Sequence, residues 1–216
     1  MKSVLVIGMG RFGKHLSRKM QELGNDVMVI DRDEERIAEF TSEFTDSQIG
    51  DCTKETVLES IGVNNFDVCF VAIGEDFQSS LEITALLKDL NANWVVTKAS
   101  SDIQKKLLQR IGADEVIYPE KDTAEKLAIR YNARNVFDYI PLTPEYSIYE
   151  IPIIDSWIGK NMAELNIRSK FKINIIAVKN NNILDPIPNP DYIFKENDHI
   201  IVIGKSKNVC KITSLT

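Results

Sequence analysis

Three glycines at 8, 10 and 13, an arginine between them and an aspartate at 31 are the residues of this sequence whose types and spacing could do chemistry. In "VLVIGMGRFGKHL" an apolar run breaks into Gly8, Met9, Gly10, Arg11, Phe12 and Gly13, then continues as a polar, helix-forming stretch. G-x-G-x-x-G is the spacing of a turn that brings backbone N–H groups against phosphate. The first glycine permits the tight turn, the second the approach of phosphate, and the third the packing of helix on strand. The first helical turn adds amide donors and the positive end of the helix dipole. Asp31 closes the second apolar run 18 residues after Gly13. A carboxylate there accepts from ribose hydroxyls and repels a 2′-phosphate, which favours NAD over NADP.

Arg11 needs a separate account. A dinucleotide pyrophosphate is satisfied by backbone amides, so this guanidinium is either a solvated surface group or a fork for additional negative charge. That charge would be a third phosphate or a phosphate bound in an adjacent subunit. Arg32 is either a cation stacked on the adenine face or an exposed helix-start residue. Asp51 and Cys52, in "GDCT", either line the adenine edge or form a turn in which Thr53 caps a helix. Ala72, Ile73, Gly74 and Glu75 follow the fourth apolar run and are expected to close over a nucleotide, and Lys98 ends the fifth, placed to face phosphate. Glu120, in "YPEKD", is either a helix-start carboxylate favoured by the dipole or a ligand for a hard divalent cation.

A nucleotide enzyme would also need a positioned acid or base. His15 and His199 are the only histidines, and both read as structural. No G-x-S-x-G, H-E-x-x-H or Walker lysine pattern occurs. Cys52, Cys69 and Cys210 are an odd number without C-x-x-C spacing and read as ordinary thiols. The sequence has a nucleotide pocket without a reaction.

The elements that must position these residues follow from periodicity. Apolar, β-branched stretches at 3–8, 26–31, 46–50, 67–74, 93–99 and 114–119 predict strands. Between them, 14–23, 33–44, 54–61, 77–90 and 101–111 carry helical period, with Thr53 and Ser101 as N-caps. This alternation predicts an α/β unit over 1–120: a Rossmann-like, doubly wound, parallel six-stranded sheet. Its ligand belongs at the carboxyl ends of the strands, where strand order reverses. "PEKDTAEKLAIRYNARNVFDYI" then reads as a helix followed by a short extended piece that the sheet does not need. It is either a crossover helix and linker over 121–142 or one more covering helix. From 143 to 216, short strands at 147–153, 173–179, 183–184, 191–194 and 199–204 and a helical stretch around "GKNMAELNI" predict a small α+β domain. Its core is thin, so it is expected to dimerise or pack on a neighbour.

A net charge of -6 argues against nucleic acid as a partner. No apolar run approaches the roughly 20 residues of a membrane-spanning helix, and "VLVIGMG" is too short and glycine-broken for a secretory signal. A soluble, cytosolic protein is expected.

The stretches "VLVIGMGRFGKHL", "VIDRDEERI", "GDCTKETVLESIGV", "DVCFVAIGEDFQSSL", "KASSDIQKKLLQRIGADEVIYPEKDTAEKLA" and "IGKNMAELNIRSKFKINIIAVKNN" resemble, in order, the RCK (regulator of potassium conductance; TrkA-N and TrkA-C) family. The likeness is strongest to the Ktr-type regulatory subunits of bacterial potassium uptake. It implies a cytoplasmic, octameric ring built as a tetramer of dimers. The ring docks at the inner face of the cell membrane on a potassium-translocating, KtrB-like subunit. ATP and ADP, and in some members NAD or NADH, bind the N-terminal domain and change the ring's shape.

By the same resemblance Arg11 reaches the terminal phosphate of ATP across the dimer, Asp31 holds ribose, and Glu120 helps to bind a divalent cation such as Mg2+ or Ca2+. In some relatives the C-terminal domain binds cyclic di-AMP, for which the matching residues are Ile167, Arg168, Asn174, Ile175 and Pro188. Cys52 departs from the small residue more common at its place. The resulting expectation is a nucleotide-gated regulatory subunit and not an enzyme. The alternatives are a small NAD-dependent oxidoreductase, which needs an acid or base near the nicotinamide, and a redox-sensing repressor, which needs a basic DNA-binding element.

Overall fold

The computed structural model describes residues 1–38, 43–44, 46–132, 138–181 and 183–213. The chain separates into two compact units, Met1–Lys121 and Asp122–Thr216.

In the first unit, β1 (Ser3–Ile7), β2 (Asp26–Asp31), β3 (Asp46–Ile49), β4 (Val68–Val71), β5 (Val95–Lys98) and β6 (Glu115–Ile117) form one sheet in the order β3-β2-β1-β4-β5-β6. Every neighbouring pair is parallel. Such a sheet is covered on both faces, which is why β1 carries no polar side chain between Val4 and Ile7. Leu5 and Ile7 join Leu58, Ile83 and Leu87 in one core layer, while Val4 and Val6 join Met9, Val29 and Ile37 in the other. The helices are α1 (Arg11–Glu22), α2 (Glu34–Ala38), α3 (Glu55–Ile61), α4 (Phe77–Asp89) and α5 (Asp102–Ile111). Residues 39–42 of the helix expected over 33–44 lie outside the described residues. A longer helix, α6 (Pro119–Asn132), begins in this unit and runs past its last residue.

Helix ends follow local chemistry. Asp76 accepts the Ser79 N–H at the start of α4, and Ser101 accepts the Gln104 N–H at the start of α5, as expected for the latter. Gly62 and Gly112 end α3 and α5 with φ of 68° and 111°, a region that costs glycine little. Thr53 is not the cap of α3. That place belongs to Lys54, which makes no side-chain cap bond. Asp51 takes both the amide and the hydroxyl of Thr53, at 3.1 and 2.7 Å, and so removes the hydroxyl from capping.

In the second unit, β7 (Asp138–Pro141), β8 (Tyr146–Pro152), β9 (Ile173–Asn180), β10 (Ile183–Asp185) and β11 (Asp198–Lys205) form an antiparallel sheet in the order β10-β9-β11-β8-β7. Strands β8 and β11 alternate buried and half-buried residues, and the buried set packs with Trp157, Phe194, Val209 and Ile212.

The extended piece expected after the helix is β7, paired with β8 through Tyr139 and Tyr149. Three local outcomes differ from the expectation. The strand expected at 191–194 is a single bridge, Asn161 to Ile193, because Pro186, Pro188 and Pro190 remove ladder donors just before it. The helical stretch splits at Asn166, φ 47°, into α7 (Met162–Leu165) and α8 (Ile167–Phe171). A C-terminal helix, α9 (Ser206–Thr213), was not expected; it buries Val209 and Ile212.

Candidate functional site

Strand order reverses across β1, with β2 on one side and β4 on the other. The loops leaving the carboxyl ends of these strands, with those of β3 and β5, enclose a cleft of about 600 Å³. Each glycine of the turn is held to a different demand. Gly8 has φ 99° and lies against Ile73, whose Cγ1 would be 3.0 Å from an added Cβ. A Cβ on Gly13 would stand 2.0 Å from the Gly8 carbonyl oxygen, so this residue sets the contact between α1 and β1. A Cβ on Gly10 would meet nothing within 4 Å. Gly10 is also the N-cap of α1, where no side chain caps the helix and no acidic residue stands in the first turn. The helix therefore brings its initial amides and dipole to the cleft without a built-in anion.

Asp31 organises this turn from β2. It is 7 % exposed, and its Oδ2 accepts the Met9 N–H at 2.7 Å while its Oδ1 accepts the Asp33 N–H at 2.9 Å. A carboxylate has about four acceptor positions, so two backbone bonds leave capacity for ribose hydroxyls. Arg36, on α2, brings its Nη1 to 3.6 Å from Asp31 Oδ2 and its Nε to 3.2 Å from Asp33 Oδ2.

The adenine-side expectations resolve into an ion-pair network. Arg32 Nη1 lies 3.4 Å from Asp76 Oδ2, joining the loop after β2 to the start of α4. Asp51, in the loop after β3, is held below the usual carboxylate range by the Thr53 hydroxyl and amide, with the charges of Lys54 and Arg32 adding to this. Cys52 also lines the cleft, but burial pushes its thiol up to about 12, and the charges of Asp51 and Asp31 reinforce the shift. It is a wall residue and not a nucleophile.

At the other end of the cleft, Lys98 Nζ sits 2.6 Å from Glu120 Oε1 and 6.0 Å from the centre of the Phe12 ring. A Cβ on Gly74 would come within 3.0 Å of the same ammonium. The hydrogen bond from Lys98 holds the Glu120 carboxyl below its ordinary range, and Arg11 adds a weaker, longer-range effect of the same sign. Arg11 is exposed as the first residue of α1. One oxygen of Glu120, the residue expected to help hold a divalent cation, is paired with the Lys98 ammonium. Among the described residues no group of three His, Cys, Asp or Glu could hold a metal.

All the residues expected at a nucleotide line this one cleft except Gly13, which packs α1 on β1 behind it. Lys14, Arg36, Gly50, Asp76 and Ser79 also line it and were not singled out from sequence. Lys14 lies one helical turn after Gly10 and could have been found from that spacing. The others carry no local signal. His15 is exposed on α1, and His199 pairs with Glu150 in the second unit at 2.8 Å.

In that unit Arg168 donates to Asn174 Oδ1 at 2.6 Å. Ile175 is half-buried on β9, and Pro188 lies between β10 and β11. Ile167 is a core residue, 5 % exposed, packed with Trp157 and Phe194, and its side chain is not presented as a surface contact. No helix among the described residues is long and apolar enough to cross a membrane.

The TrkA-N domain model matches residues 4–119 and the TrkA-C domain model residues 148–215. The chain is 37 % identical over 210 residues to Ktr system potassium uptake protein C of Bacillus subtilis, covering 97 % of this chain and 95 % of that protein. It is 36 % identical over 208 residues to Ktr system potassium uptake protein A of the same organism, covering 96 % and 94 %. Among solved structures, the GsuK channel bound to NAD shares the fold with a TM-score of 0.66 at 16 % identity, over 99 % of this chain and 38 % of that one. The GsuK structure bound to ADP shares it with a TM-score of 0.55 at 15 % identity, over 60 % of this chain and 34 % of that one.

Proposed function

The chain belongs to the TrkA-N/TrkA-C (RCK) family, with the Ktr potassium uptake proteins among its relatives, and we propose that it is the nucleotide-gated regulatory subunit of a potassium uptake system. One observation carries the reading. The cleft at the β1/β4 reversal unites an uncapped glycine turn, a ribose-competent carboxylate and the cations Arg11 and Lys98. Neither histidine is among its lining residues. Such a set of groups is suited to holding phosphates and a ribose.

In this reading the amides following Gly10 take the phosphates of ATP or ADP, Asp31 takes the ribose, and Cys52 with Ile73 walls the base. Arg11, exposed at the start of α1, meets the terminal phosphate of ATP, directly or across a dimer. ATP then makes a contact that ADP lacks, and only such differential affinity moves a conformational equilibrium. NAD or NADH fits the same turn and ribose acceptor. A divalent cation such as Mg2+ or Ca2+ bound with the phosphates would draw on Glu120, whose Oε1 is paired with Lys98.

The readout is a potassium-translocating, KtrB-like membrane subunit on which an octameric ring of dimers docks from the cytoplasmic side. Helix α6 serves as the crossover helix of the segment over 121–142, which is crossover helix and linker together. The Arg168–Asn174 pair is the candidate contact for cyclic di-AMP in the domain over 143–216. An NAD-dependent oxidoreductase is disfavoured because the relatives are potassium uptake proteins.

Thermal-shift titration with ATP, ADP, NAD, NADH and cyclic di-AMP, with native mass measurement of the assembly, tests the reading. Stabilisation by adenine nucleotides of an oligomer is expected. A monomer indifferent to all five ligands would overturn it.

A further inference from the structure

Arg32 is the first residue after β2, and Asp76 is the N-cap of α4, at the end of the loop that leaves β4. Strand β1 lies between β2 and β4 in the sheet. With neighbouring strands about 4.8 Å apart, the two loops leave the sheet roughly 10 Å from each other, one on each side of the glycine turn. The ion pair from Arg32 Nη1 to Asp76 Oδ2, at 3.4 Å, therefore spans the crevice instead of running along one rim. Both residues line the cleft.

The two ends of the span are anchored differently. Asp76 is fixed by the helix it caps: its Oδ1 accepts the Ser79 N–H at 3.1 Å and its Oδ2 the Ser79 hydroxyl at 2.7 Å. These two bonds, ahead of the charge of Arg32, hold its carboxyl below the usual carboxylate range. Arg32 reaches out from a loop, with its side chain 64 % exposed. An exposed pair of this kind adds little to the stability of a fold. What it fixes is direction, because a guanidinium tied by its edge to a carboxylate keeps its flat face for stacking on a π system. Cys52 and Ile73 line the same cleft and supply apolar surface for the other face of a base.

We propose that Arg32, held across the cleft by Asp76, covers the base of a bound adenine nucleotide, so that the base is gripped by a strap separate from the turn that takes the phosphates. The proposal rests on the nucleotide reading of the cleft and adds the residues that recognise the base. Arg32 touches the ligand; Asp76 is a positioning residue that acts only through Arg32. A contact with the base is common to ATP and ADP. The strap therefore sets how tightly either nucleotide is held and leaves the count of phosphates to Arg11.

The test is calorimetric titration of the full chain with ADP and with ATP, comparing wild type, Arg32→Ala, Asp76→Asn and the double variant. Asparagine caps a helix about as well as aspartate, so Asp76→Asn removes the charge while keeping the start of α4. Arg32→Ala is expected to weaken both nucleotides by the same factor, about fivefold, through the lost stacking. Asp76→Asn is expected to weaken both by about threefold, because Arg32 is no longer held in place. In the Arg32→Ala background Asp76→Asn is expected to change nothing, an outcome that a purely structural role for Asp76 would not give.

An Arg32→Ala protein that binds ADP as tightly as wild type overturns the strap. So does a loss several times larger for ATP than for ADP, which would put Arg32 on the phosphates. Equal effects of Asp76→Asn with and without Arg32 would remove the positioning role. The first two readouts use only the Arg32→Ala chain, altered at an exposed side chain, and do not depend on the helix cap. If wild type binds neither ADP nor ATP, the nucleotide reading itself falls and takes the strap with it. Wild-type binding without the Arg32 effect removes the strap alone.

Discussion

Asp31 Oδ2 accepts the backbone N–H of Met9 at 2.7 Å, so the carboxylate at the end of β2 shapes the phosphate turn at the end of β1 as well as presenting an acceptor to the cleft. In the proposed reading, recognition of ribose and the geometry of the turn are therefore coupled through one side chain. Arg36, 3.6 Å from the same oxygen, extends that coupling to α2.

Replacing Asp31 separates the two roles. Met9 is fully buried, so Asp31→Ala leaves its N–H without an acceptor, at a cost of about 1–3 kcal/mol. Asp31→Asn retains a carbonyl oxygen for one of the two amides and is expected to lose less stability. Both should bind adenine nucleotides weakly. Urea unfolding and calorimetric titration of the pair check this; an Asp31→Ala protein as stable as wild type would remove the structural half of the argument.

Arg11→Ala is expected to weaken ATP binding more than ADP binding, by about tenfold in their ratio, since a charge-assisted bond is lost for ATP alone. The chain should remain as stable as wild type, because the residue is exposed. Equal losses for the two nucleotides in calorimetric titration would sink the terminal-phosphate assignment.

The glycines of the turn make opposite predictions. Gly13→Ala puts a Cβ 2.0 Å from the Gly8 oxygen and should destabilise the protein by several kcal/mol or prevent folding. At Gly10 φ is -70° and the added methyl enters open space, so Gly10→Ala should fold as well as wild type or slightly better, by about 0.4–1 kcal/mol. It should nevertheless lose nucleotide affinity, because the methyl occupies the approach to the turn amides. Thermal denaturation followed by ATP titration distinguishes the two.

Acid should release a tether between α4 and β5. Burial raises the pKa of Asp114, but hydrogen bonds from Lys88 and the Val95 N–H outweigh it and hold the carboxyl below the usual carboxylate range. A depressed folded pKa contributes stability that is complete above the unfolded value and is lost as pH falls through the folded one. Urea midpoints should therefore fall below about pH 4 partly on this account, and Asp114→Asn should flatten that limb. An unchanged acid limb in the variant would assign the loss to other carboxylates.

Much of the nucleotide unit was legible because its signals are local. Continuous apolar strands, the G-x-G-x-x-G spacing and the Asp ending β2 each reflect geometry within a few residues, and the observed strands fall on the stretches expected for them. The second unit was less legible. Prolines at 186, 188 and 190 interrupt its pattern, Asn166 enters the left-handed region inside a helical stretch, and the strand partner of the extended piece β7 shows only in its pairing with β8. Thr53 shows how a local rule fails: a neighbouring carboxylate claimed the hydroxyl that capping would have used.

The sequence by itself determined that this chain alternates strand and helix and that a G-x-G-x-x-G turn follows the first strand. Those properties follow from backbone period and residue type. Only the tertiary structure decided which charges meet. Arg32 finds Asp76 across 44 positions and Lys98 finds Glu120 across 22. Those partners are set by strand order, which brings the loops after β2 and β4, and the ends of β5 and β6, to one rim. No spacing in a linear chain encodes which of several lysines and glutamates that rim will pair. Long-range ion pairing is a product of topology, and here it joins the rim of the cleft to the first turn of α6 through Lys98 and Glu120.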